Sequence, residues 1–131
     1  MKLESESTFL ELIKVEIIPL NLPCPGDTRL QVALRIHDFS GAATCWVAAP
    51  SLHEFRNAVA ALFEKFDGDA VLESLSPDEF YLALAPANPR GYVNVKVQLR
   101  RQFPECCVSG SFEVPLQEIS AIADWVDSSE K

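Results

Sequence analysis

The apolar residues of this chain change their period twice, and those changes limit what it can fold into. Over most of the sequence, hydrophobic side chains recur every second residue, the spacing of a half-buried strand. Val93, Val95, Val97 and Leu99 alternate with Asn94, Lys96 and Gln98, and Leu30, Val32, Leu34 and Ile36 alternate with Gln31, Ala33 and Arg35. From Leu52 the period lengthens: Leu52, Phe55, Val59, Leu62 and Phe66 fall at spacings of 3, 4, 3 and 4, one stripe along a helix. A second helix is expected over about 115–127, with Leu116, Ile119, Ile122, Ala123 and Val126 buried. Strands in runs, broken by single helices, read as an α+β fold.

Local signals set the expected boundaries. Residues 9–18 form a first strand, and the loop 19–28, with three prolines and a glycine, follows without regular structure. Ser40-Gly41 turns the strand 30–36 into the strand that carries Trp46. After Pro50, Ser51 is placed to cap the first helix while Glu54 reaches back, and Asp67-Gly68 ends it. Beyond lie strands over 70–75, 80–85, 92–100 and 106–114, the last with Gly110 inside it, where a bulge or a close backbone approach is expected. The expected architecture is one domain over 1–131: an antiparallel sheet of about seven strands, with two helices packed on one face. The segments 50–62 and 114–126 align so that Leu52 matches Leu116, Glu54 matches Glu118 and Phe55 matches Ile119. Two readings stand side by side: an internal pseudo-repeat of strands plus one helix, or the common look of any strand-to-helix junction.

Charge narrows the partners. Eleven basic against nineteen acidic residues in 131 give a net charge of −8. That balance opposes binding to nucleic acid or to an anionic membrane, whose affinity comes from clustered Lys and Arg, and it speeds encounter with a basic protein. The acids are not evenly spread. Between Glu64 and Glu79 there are six acids and one base, and between Arg90 and Arg101 there are four bases and no acid. The sharper reading is an acidic patch for a basic partner, carried by Asp67, Asp69, Glu73, Asp78 and Glu79. The plainer one is a solvated surface. Three glutamates stand in the first 11 residues ahead of any long apolar run, which argues against a signal peptide and for the cytoplasm.

Catalytic patterns are scarce. Cys24, Cys45, Cys106 and Cys107 lack the spacing of a zinc site, and in a reducing compartment they read as free thiols. His37 and His53 are the two histidines, and both fall on polar sides of their elements. No glycine-rich phosphate loop, nucleophile elbow or paired-histidine metal motif occurs, so no cofactor and no metal are expected. One enzymatic or ligand-binding alternative stays open, a pocket near Cys45, Trp46 and His53, which lie close together at a strand-to-helix junction.

The order of parts resembles the WapI-type bacterial immunity proteins of polymorphic toxin systems. The resemblance rests on the early hydrophobic strand, Asp38-Phe39-Ser40-Gly41 before the Trp46 strand, and Leu52-x-x-Phe55 opening the helix. It continues through Ala70-x-Leu72-x-x-Leu75, Gly91-Tyr92-Val93-x-Val95, Ser111-Phe112 and the helix opened by Leu116. The proline-rich loop 19–28 and Cys106-Cys107 lie outside it. The resemblance implies a stoichiometric, non-catalytic inhibitor in the cytoplasm that covers the active site of a cognate toxin's C-terminal domain.

Overall fold

The computed structural model describes residues 1–76, 78–102 and 105–128. Among these residues, eight strands and three helical segments follow one another in the order four strands, α-helix, four strands, 3-10 turn, α-helix. Strands β1 (Lys2–Ser5), β2 (Thr8–Ile17), β3 (Thr28–Ile36) and β4 (Phe39–Val47) form one antiparallel sheet in chain order. Helix α1 (Ala49–Lys65) leads to a second antiparallel sheet of β5 (Ala70–Glu73), β6 (Phe80–Asn88), β7 (Tyr92–Gln102) and β8 (Glu105–Pro115), again in chain order. A 3-10 turn (Leu116–Ile119) and a short helix α2 (Ile122–Asp127) close the chain.

The α+β class holds, but the single sheet of about seven strands does not: there are two sheets of four. The extra strand is β1. It buries one side chain, Leu3, and its other residues are polar, so it gives no alternation to read. It is held by the β2 ladder, by Leu12 N–H donating to Met1 O at 2.8 Å and by the terminal amine donating to Leu12 O at 3.0 Å. The sheet divides at α1, which at 17 residues carries the chain about 26 Å before β5 begins. The expected final helix is likewise split, its first turn being 3-10 and its second part six residues long.

Where alternation is clean, the burial follows it. Val93, Val95, Val97 and Leu99 are all buried, as are Leu30, Val32 and Leu34. With Leu52, Phe55, Val59 and Leu62 of α1, and Ile119 and Ile122 near the C-terminus, they form one hydrophobic cluster shared by both sheets and both helices. The arrangement of a four-stranded meander followed by a helix occurs twice, and the aligned Phe55 and Ile119 are both fully buried.

The two sheets meet where glycine leaves room. A Cβ on Gly110 of β8 would stand 2.6 Å from Ile36 Cδ1, so what lies against this glycine is the Ile36 side chain of β3, and the β7–β8 register runs through it without the bulge or backbone approach expected there. Across the same junction, a Cβ on Gly41 of β4 would stand 3.3 Å from Val108 Cγ2 and 3.7 Å from Leu99 Cδ2.

Both ends of α1 differ in chemistry from the expected caps. The N-cap is Ala48, Pro50 sits in the first turn, and no side chain of the helix caps it. Asp27, from the preceding loop, supplies the missing acceptor: Ala49 N–H donates to its Oδ1 at 2.9 Å. At the other end Phe66, rather than a glycine, takes the left-handed conformation (φ 51°), and its N–H donates to Leu62 O at 2.8 Å. α2 ends on a buried cation. Lys14 of β2 is only 4% exposed, and its ammonium donates to Trp125 O (2.6 Å), Val126 O (3.1 Å) and Ser128 O (2.7 Å) while lying 5.1 Å from the Trp125 ring centroid. A positive charge at a helix C-terminus satisfies carbonyls that the helix cannot. Burial pulls the Lys14 ammonium below its ordinary pKa, while Asp127 pushes the other way.

Candidate functional site

The five acids expected to meet a partner lie around β5 (Ala70–Glu73). Asp67 and Asp69 occupy the turn that enters it, Glu73 is its last residue, and Asp78 and Glu79 precede β6. Asp67, Asp69, Glu73 and Asp78 are exposed, and Glu79 is half-buried. β5 runs four residues, which separates the two ends by roughly 13 Å. That exceeds the ~8–10 Å over which exposed charges act at moderate salt. The acids therefore stand in two groups, one at each end of β5. None of the five forms an ion pair among the described residues; the pairs there are Lys2–Glu4, Arg29–Glu16, Arg56–Asp127 and Arg100–Glu105.

Cys45, Trp46 and His53 are not gathered. Cys45 is buried on β4, and adjacent strand residues point to opposite faces, so Trp46 turns away from it. His53 is exposed on α1 and shares a hydrogen bond with Asn57 Nδ2 at 3.3 Å. It borders a hollow of about 240 Å³ with Lys14, Thr28 and Asp127, whereas Cys45 borders a different one. Burial, reinforced by the Glu79 charge, pushes the Cys45 thiol up to about 12, so almost none of it is thiolate at neutral pH. The nucleophile and metal ligand in cysteine chemistry is the thiolate. Cys24, Cys106 and Cys107 are exposed. No cluster of three or more His, Cys, Asp or Glu poised for a metal occurs among the described residues.

The hollow beside Cys45, about 480 Å³, lies where the two sheets meet. One wall is the outer edge of β4 from Ala42 to Cys45, with Gln31 of β3 behind it. The other is made by Leu99, Arg100 and Arg101 at the end of β7 and by Glu79. The β7–β8 hairpin carries the arginines there because it outruns its neighbour: β6 pairs with β7 only as far as Phe80 opposite Leu99, while β7–β8 pairing continues to Gln102 opposite Glu105. Arg100 is held by Glu105 at 3.1 Å, and its N–H donates to Glu79 O at 2.9 Å. The basic run from Arg90 to Arg101 was visible in the sequence. The placement of Arg100 and Arg101 opposite Gln31 and Thr44 was not, because those residues come from the other half of the chain.

No family model matches this chain, and no curated protein does. Among solved structures, a chain in the crystal structures of Trypanosoma bruciei MRP1/MRP2 is similar at 12% identity and a TM-score of 0.48, over 92% of this chain and 81% of that one. A likeness at that level carries nothing about activity. No helix of the described residues is long and apolar enough to cross a membrane.

Proposed function

We propose that the protein is a non-catalytic binding module that captures a basic protein, acting as an immunity protein that covers the active site of a cognate bacterial toxin domain in the cytoplasm. The observation that carries this reading is the set of carboxylates around β5, none of which is neutralised by an ion pair among the described residues, on a chain of net charge −8. Unpaired surface acids cost the compact state some self-repulsion and favour encounter with positive surfaces. The sequence resemblance to WapI-type immunity proteins gives the partner its class. The high pKa of Cys45 and its separation from His53 lend the enzymatic alternative little support.

The test is direct. The C-terminal domain of the toxin encoded next to this protein's gene, mixed with it at low salt, should form a one-to-one complex, and association should slow as salt rises. A toxin domain that shows no binding at low salt overturns the proposal.

A further inference from the structure

The outer edge of β4 (Phe39–Val47) has a short open window. Leu75 N–H donates to Trp46 O at 2.8 Å from outside the sheet. The backbone groups of Trp46 therefore point away from β3. In an antiparallel ladder this orientation repeats every second residue, and the β3–β4 register runs unbroken from Thr28–Val47 to Ile36–Phe39. Ala42 and Thr44 thus aim their N–H and C=O groups outward too, and among the described residues no second strand pairs with β4. Leu75 closes the window at the Trp46 end, and the packing of Gly41 against Val108 and Leu99 closes it at the other. Between these stops the edge opens into the hollow of about 480 Å³, a size common for binding sites.

The facing wall supplies charge. Arg100 is engaged by Glu105, and Glu79 stands beside Cys45. Arg101 is exposed and forms no ion pair among the described residues. A strand laid against β4 would present alternate side chains to this wall. One carboxylate could pair with the Arg101 guanidinium, and Glu79 would repel a second.

We propose that this window is a strand-addition site: it binds a short extended peptide segment through the backbone groups of Ala42 and Thr44, with one acidic side chain of the segment on Arg101. Main-chain pairing supplies affinity in such sites and side-chain pockets supply choice. The site shares only Glu79 with the acids around β5, and its backbone pairing on β4 does not depend on toxin capture, so the two are tested separately.

The probe is an acetylated and amidated hexapeptide, Val-Thr-Val-Glu-Val-Thr, titrated into the full chain and followed by amide NMR and hydrogen exchange. In the free protein the Ala42 and Thr44 amides should exchange much faster than those of Ala43 and Cys45. The peptide should slow them at least tenfold and shift resonances from Gln31 to Cys45 and at Arg101. Replacing the peptide's Glu with Lys, or Arg101→Glu in the protein, should weaken binding about tenfold. Thr44→Pro removes an outward N–H but no ladder bond, a placement edge strands tolerate, and should abolish binding. Thr44→Val keeps the N–H and should bind as the parent does. Failure of the peptide to protect the two amides overturns the proposal, whatever the variants do. So does an identical response to sodium acetate, which would make the wall a simple anion subsite.

Discussion

Cys45 shows how one side chain's surroundings decide its chemistry. Beside a helix that carries His53, it could be drawn as half of a catalytic pair. In the fold it is 4% exposed, with its thiol pushed to about 12 by burial and by Glu79. On the native protein, a water-soluble disulfide reagent should modify Cys24, Cys106 and Cys107, and reach Cys45 only after denaturation; rapid native labelling of Cys45 would contradict its burial. The sign of the pH effect follows from the same shift. The folded state holds the Cys45 proton to about 12, while the unfolded chain releases it near the ordinary thiol value of 9.0. The stabilisation is therefore complete below pH 9.0 and is lost as pH rises toward about 12, with a slope of at most about 1.4 kcal/mol per pH unit. Urea titrations across that window should show a shallower loss for Cys45→Ala than for the parent. None of this was legible from the sequence, since a cysteine's pKa depends on what packs around it.

At the scale of elements, α1 (Ala49–Lys65) separates what is local from what is not. Its stripe of Leu52, Phe55, Val59 and Leu62 was plain in the sequence, and all four are buried. Its N-terminal cap was not, because the acceptor is Asp27, 22 residues earlier. Asp27→Ala should cost about 0.5–2 kcal/mol in chemical denaturation, as lost caps do, and Ser51→Ala should be near neutral. The reverse ranking would restore Ser51 as the cap. Gly110 makes a similar case. A strand glycine signals a close approach, but only the fold names Ile36 as the neighbour. Gly110→Ala drives a methyl to 2.6 Å from Ile36 Cδ1, and overpacking of that kind costs about 1–3 kcal/mol. Ile36→Val removes the clashing atom, so the double variant should recover part of the melting temperature lost. If it recovers none, the clash lies elsewhere.

For the whole molecule, the division of the acids between the two ends of β5 changes how a basic partner would be drawn in. Asp67→Asn with Asp69→Asn, and separately Glu73→Gln with Asp78→Asn, should each slow association with the toxin domain several-fold at low salt and flatten its salt dependence. Dissociation should change little, since buried anchors govern it. Stopped-flow mixing at two salt concentrations reads both rates. If only one pair matters, the partner docks at that end; if neither does, the binding surface lies away from β5.

Period and composition by themselves determined the class of this protein: strands from alternation, a helix from the stripe at 52–66, and antiparallel runs from short turns. These depend on neighbours within a few residues, where side-chain geometry is set by the local backbone. Only the tertiary structure decided that eight strands divide into two sheets, that Asp27 and Lys14 finish helices remote from them in sequence, and that the edge of β4 faces Arg100 and Arg101 across a hollow. Those outcomes turn on which surfaces pack together after the chain has folded back. A glycine, a lone leucine in β1 or an unpaired arginine carries no mark of its distant neighbour until packing brings the two into contact.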